Sequence, residues 1–182
     1  MVYVHFADGF EEIEAVTIVD VLRRAGVDTK SVSVTGSLEV CGSHDIKVRA
    51  DMLIEDADYN SCEMIVLPGG MPGTTNLLAS EKLRENIVSF AEKGKRLAAI
   101  CAAPMVFGKL GVLKGKKAVI YPGMEENLTD ANVCDRQVTV VTDGNITTSR
   151  GPGTALGFSL ELVEILKSEE EASRLRKAMI VD

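Results

Sequence analysis

No tryptophan occurs in this 182-residue chain, and only 4% of its residues are aromatic. The core therefore has to be built from Val, Ile, Leu and Ala, and the length suits one globular domain over residues 1–182. No apolar run reaches the ~18 residues that a helical membrane span needs, so no membrane partner is expected. The opening stretch "MVYVHFADGFEE" lacks a basic segment followed by a long apolar one, and no signal peptide is expected. Basic clusters are missing beyond short pieces such as "KGKK" (114–117), and the net charge is −7. Such a field repels a phosphate backbone, which argues against a nucleic-acid partner. There is no C-x-x-C pair, the cysteines at 41, 62, 101 and 134 are widely spaced, and His5 and His44 are far apart. That spacing offers neither a metal cluster nor a disulfide frame, and it fits reduced thiols in the cytoplasm.

What is present is an alternation of short β-rich runs and helical patterns. Strands are expected at 2–7, 29–34, 63–67, 96–100 and 117–121, the last resuming the main sheet. Hairpins are expected at 38–50 and 137–149, the second turning at Asp143-Gly144-Asn145. Helices are expected from Glu12 to Arg24, from Glu81 to Lys93, from near Pro104, and from Pro152 to Lys167, with a short polar one after it. Strands alternating with helices imply βαβ crossovers and a mostly parallel sheet covered on both faces. Ligands in such folds sit beyond the carboxyl ends of the strands.

Cys101 directly follows one of these strands, in Ala99-Ile100-Cys101-Ala102-Ala103-Pro104. A nucleophile elbow is a tight strand–turn–helix whose neighbours must be small, and alanines stand where it needs them. Pro104 fits a first helical turn, so the helix is expected to begin at or just after Cys101. Its free amides and dipole would then lower the thiol pKa. The competing reading is a buried cysteine acting as a small hydrophobe. The junction favours the first reading for Cys101, whereas Cys41, Cys62 and Cys134 keep the second.

Two further segments carry chemistry. In "FEEIEAVTIVDVLRRAG" (10–26) Glu14 lies among Ile13, Ala15 and Val16 in a helix that is apolar on most sides. Such a helix calls for cover beyond the sheet, for instance a second subunit. Glu14 either complements the helix dipole or is buried as a protonated acid able to donate to a thiolate and carry protons. In "IVLPGGMPGTTN" (65–76) Gly69 and Gly70 end a strand, either as an anion-binding nest or as a turn needing positive φ. No G-K-[ST] follows, so this is not a P-loop. Arg150, in "TSRGPGTA" (148–155), suits a structural ion pair better than an anion site.

Together, "DGFEEIEAVTIVDVLRRAG", "IVLPGGMPG", "AAICAAP" and "TSRGPGTA" resemble the DJ-one/PfpI/ThiJ superfamily. The resemblance is closest to its branch of small proteins similar to the parkinsonism-associated deglycase. It implies a flavodoxin-like three-layer α/β sandwich, a homodimer and no cofactor. It also implies a reactive Cys101 paired with a protonated Glu14, in a site lined by the Gly69 and Gly70 amides. Peptidase-like members carry His after the nucleophile, where this chain has Ala102, so a protease is set aside. The closer branch usually carries a His where this chain has Tyr121, a phenol that can donate a hydrogen bond but is a poor base near neutrality.

On this resemblance the leading expectation is a glyoxalase- or deglycase-type enzyme acting on a small aldehyde or glycated substrate. Cys101 would form a hemithioacetal, Gly69, Gly70 and Ala102 would steady the oxyanion, and Glu14 would shuttle the proton. The alternatives are an oxidative-stress sensor or chaperone using Cys101 oxidation, a role behind the thiazole monophosphate biosynthesis label, and a plain flavodoxin-like binding module.

Overall fold

The structure, a computed structural model, describes residues 1–181. Seven strands form its main sheet: β1 (Val2–Phe6), β2 (Thr29–Ser33), β5 (Met52–Leu53), β6 (Met64–Leu67), β7 (Arg96–Ile100), β10 (Val140–Asp143) and β11 (Ile146–Ser149). Their order is β10-β11-β7-β6-β1-β2-β5. All neighbours run parallel except the hairpin β10–β11. The hairpin expected at 38–50 forms as β3 (Glu39–Cys41) and β4 (Lys47–Arg49), a two-stranded sheet of its own.

Alternation along the strands builds two apolar layers. Val2, Val4 and Phe6 of β1, with Val66, Ala98 and Ile100, face helices α1 (Glu12–Arg24), α5 (Ala155–Leu166) and α6 (Glu169–Ala178). Tyr3, Ile65, Leu67, Leu97 and Ala99 face α2 (Gly73–Ala79), α3 (Glu81–Glu92) and α4 (Pro104–Lys109). The result is the three-layer sandwich expected from the sequence. Helix α1 buries Ala15, Ile18, Val21 and Leu22, and leaves Ile13 and Val16 exposed. No helix among the described residues is long and apolar enough to cross a membrane.

Two expectations need correction, and one helix goes unmarked in the sequence. Residues 117–121 do not rejoin the main sheet: only β8 (Lys117–Ala118) is a strand, and it pairs with β9 (Asn132–Val133). The outer side of β11 is already taken by β10. Beyond β8 the Val119 N–H donates to Thr148 Oγ1 (3.0 Å) and the Tyr121 N–H to the Cys101 carbonyl (2.8 Å), so a strand ladder is not needed to satisfy them. The helix after Cys101 begins at Pro104, beyond an intervening turn, and has only six residues. Finally, no periodicity in the sequence marks α2, since seven residues are too few for a clear helical period.

Candidate active site

The parallel strands β1, β6 and β7 end together, and their exits carry the candidate residues. Cys101 leaves β7 with φ +63°, a left-handed backbone that costs a residue with a Cβ about 1–2 kcal/mol. Its N–H donates to the Ser149 carbonyl of β11 (3.1 Å), and its own carbonyl accepts from Tyr121. These bonds pin the residue on both sides. Ala102 and Ala103 are buried behind it, where larger side chains would have no room.

Glu14 reaches the same point from α1. The helix is held in place by Glu11, whose carboxylate caps it by accepting from the Glu14 N–H (2.7 Å), while the Glu11 N–H donates to the Gly69 carbonyl (2.9 Å). The Glu14 side chain is 0% exposed. Its Oε2 accepts from the Gly69 N–H (2.8 Å), its carboxyl lies beside the Cys101 thiol, and Oε1 is buried with no hydrogen-bond partner. Gly69 must be glycine here: a Cβ would lie 2.6 Å from Cys101 Cβ and 2.9 Å from Glu14 Oε2. Gly70 has φ +91° and backs directly onto the Glu11 amide, so a turn and a close approach both require it.

Electrostatics follow from burial. Loss of water pushes the Glu14 carboxyl up to about 7, against the pull of the Gly69 amide. Burial likewise pushes the Cys101 thiol up, to about 12, with ionised Glu14 adding to the rise and the Gly70 and Ala102 amides opposing it. This corrects the expectation of a thiol pKa lowered by helix amides, because α4 starts too late and the site is too dry for that effect to win. Sulfur and carboxyl therefore hold one proton between them above neutrality.

Of the expected site residues, Cys101, Glu14, Gly69, Gly70 and Ala102 come together. Gly69 is a correction in role: its amide is committed to Glu14 and is not free for an oxyanion, which leaves Gly70 and Ala102. Tyr121 is 47% exposed, its ring against Gly151. Arg150 makes no ion pair within 4.0 Å among the described residues, contrary to expectation, although its charge reaches Glu125. Met71 and Gly151, also at this edge, were not singled out from the sequence; their signal lay only in their adjacency to Gly70 and Arg150.

For a metal ion, the described residues offer one group: donor atoms of Glu11, Glu12 and His44 lie within 4.8 Å of one another. They are already engaged: Glu11 caps α1, and Glu12 accepts from the His44 N–H (2.7 Å) and pairs with His44 Nδ1 (2.8 Å).

Sequence comparison places this geometry. The family model described as "DJ-1/PfpI family" matches residues 1–165. The chain belongs to the DJ-1/PfpI family. It is 45% identical over 181 residues to the DJ-1 homolog B of Arabidopsis thaliana, which covers 99% of this chain and 41% of the relative. The chain thus spans less than half the length of the Arabidopsis relatives it matches. A deglycase of Pyrococcus abyssi is 30% identical over 88% of this chain and 96% of its own. The crystal structure of Drosophila melanogaster DJ-1beta superposes with a TM-score of 0.95 at 36% identity, over 100% of this chain and 97% of the other. The DJ-1/PfpI assignment therefore extends from motifs to the whole fold.

Proposed function

We propose that this DJ-1/PfpI protein is a glyoxalase- or deglycase-type enzyme that uses Cys101 on α-oxoaldehydes or their adducts. One observation carries the reading: a fully buried carboxyl, Glu14, is held by the Gly69 amide against the Cys101 thiol. A structural acid at a helix start has no need of such a position. The Pyrococcus relative called a deglycase supports the same class of substrate.

In this mechanism the sulfur bonds to the aldehyde carbon as its proton passes to Glu14, and the carbonyl oxygen takes that proton to give a hemithioacetal. Gly70 and Ala102 amides steady the negative charge on the way. Ionised Glu14 then removes the proton from the sulfur-bearing carbon and returns it to the neighbouring carbon. The hemithioacetal hydroxyl passes its proton to the ketone oxygen, so the ketone becomes an alcohol and the hemithioacetal a thioester, with no external oxidant. Water cleaves the thioester, releasing a 2-hydroxy acid and the free thiol. The test is lactate formation from methylglyoxal before and after Cys101 is capped with iodoacetamide, the site of capping read by peptide mass mapping. Uncapped protein should form lactate and capped protein should not; equal rates would remove the basis of the proposal.

The same reading includes a homodimer built on α1. Ile13 and Val16 are 59% and 48% exposed, next to a groove of about 280 Å³ floored by Phe6, Val19 and Val48. Asp20, Arg23, Arg49 and Asp51 rim it with two charges of each sign, a self-complementary set. Light scattering after size exclusion should give twice the chain mass for the wild type and a single chain mass for Val16→Glu.

A further inference from the structure

We infer that Tyr121 and Met71 form an apolar wall that selects α-oxoaldehydes carrying an aryl substituent over those carrying a methyl group. The inference rests on the reading of Cys101 as the reactive thiol and names the substrate class of that site.

Cys101 is only 8% exposed. A reacting aldehyde carbon can come to the sulfur, but its substituent must stay at the mouth. Two segments that touch Cys101 carry exposed apolar side chains. Gly69, packed on Cys101, leads through Gly70 into Met71, which is 51% exposed. Tyr121, 47% exposed, is tied by its N–H to the Cys101 carbonyl (2.8 Å).

The ring of Tyr121 is not loose at the surface. It lies on Gly151, where a Cβ would come 3.5 Å from Cδ2 and 3.7 Å from Cε2. Gly151 follows β11, whose Ser149 carbonyl accepts from the Cys101 N–H. The ring is thus placed at the strand end that carries the sulfur, with backbone behind one side and solvent before the other. A flat, pre-positioned aromatic face of this kind gains about 0.5–1.5 kcal/mol from a second ring, or up to about tenfold in affinity. Met71 adds an unbranched, polarisable side chain suited to an aromatic edge.

The test compares N-benzyl iodoacetamide with iodoacetamide on Cys101, each rate divided by that of free cysteine, followed by peptide mass mapping. Phenylglyoxal and methylglyoxal are compared in parallel as substrates. In the wild type both aryl-to-small ratios should exceed unity, by about two- to tenfold. Tyr121→Ala should bring both ratios near unity, and Tyr121→Phe should keep them, since the ring and not the hydroxyl is responsible. A wild-type ratio of unity, or one untouched by Tyr121→Ala, overturns the wall while leaving the enzyme reading intact. A high alkylation ratio without turnover of either aldehyde upholds the wall and overturns the enzyme reading. Failure of both reagents to label Cys101 overturns both.

Discussion

Cys101→Ser is expected to reduce lactate formation from methylglyoxal to the rate in buffer, and Glu14→Gln to reduce it by about 100-fold or more. The two losses have different causes. Serine removes the nucleophile: its hydroxyl is far less acidic than a thiol, and nothing at this site can ionise it. Glutamine keeps the shape. Its carbonyl can still accept from the Gly69 N–H, and its amide can still face the sulfur. What it cannot do is take a proton. In the wild type, the first proton leaves the pair at the carboxyl, near pH 7, and the sulfur can then pass its own proton across when it attacks. In Glu14→Gln the proton must go from sulfur to water, and burial opposes the thiolate that results. The rate of Cys101 alkylation should therefore climb through about pH 7 in the wild type and only at clearly higher pH in Glu14→Gln. An inflection at the same or a lower pH in the variant would show that the carboxylate hinders ionisation and takes no part in it.

Much of this site is legible in the linear chain, for reasons that differ by residue. Cys101 is visible because its constraints are local: a buried strand, two alanines and a proline fall within eight residues. Glu14 is visible only as an acid in apolar company. Its burial depends on Gly69, 55 positions away, having no side chain to occupy the space. The commitment of the Gly69 amide to Glu14 cannot be read from "PGG", because the motif shows which amides are bare and not what faces them. The thiol pKa went the other way from expectation for a similar reason. Pro104 points to a helix start, but desolvation is set by everything packed around the sulfur, and it outweighs two amides. At the fold level, the alternation of short β-rich runs with helical patterns is clear in the sequence. Residues 117–121 look like a sheet strand in composition, yet β10 occupies the place beside β11 that such a strand would need.

A second large effect is expected from His5, and it appears in stability against pH. His5 lies in the middle of β1, 0% exposed, with Nε2 2.7 Å from the Tyr59 hydroxyl and Nδ1 without a partner. The Tyr59 ring stacks on it and Tyr3 meets it edge-on. In this apolar setting burial lowers the His5 pKa from 6.5 to about 3. Below pH 6.5 the unfolded chain takes up a proton that the folded one refuses until about pH 3. Stability from the neutral imidazole is thus complete above 6.5 and drains away as pH falls toward 3, by about 5 kcal/mol. Glu14 acts in the opposite direction. Its folded pKa of about 7 lies above the ordinary 4.5, so its contribution is complete below 4.5 and is lost as pH rises through 7, by about 3 kcal/mol. Between pH 4.5 and 6.5 the two slopes cancel. His5→Gln, whose amide can still pair with the Tyr59 hydroxyl, removes one slope and leaves the other. Urea unfolding should then show the variant gaining on the wild type by about 3 kcal/mol between pH 6.5 and 4.5. If the difference between the two proteins stays constant with pH, His5 binds its proton as readily in the fold as in the unfolded chain, and β1 carries no buried neutral imidazole.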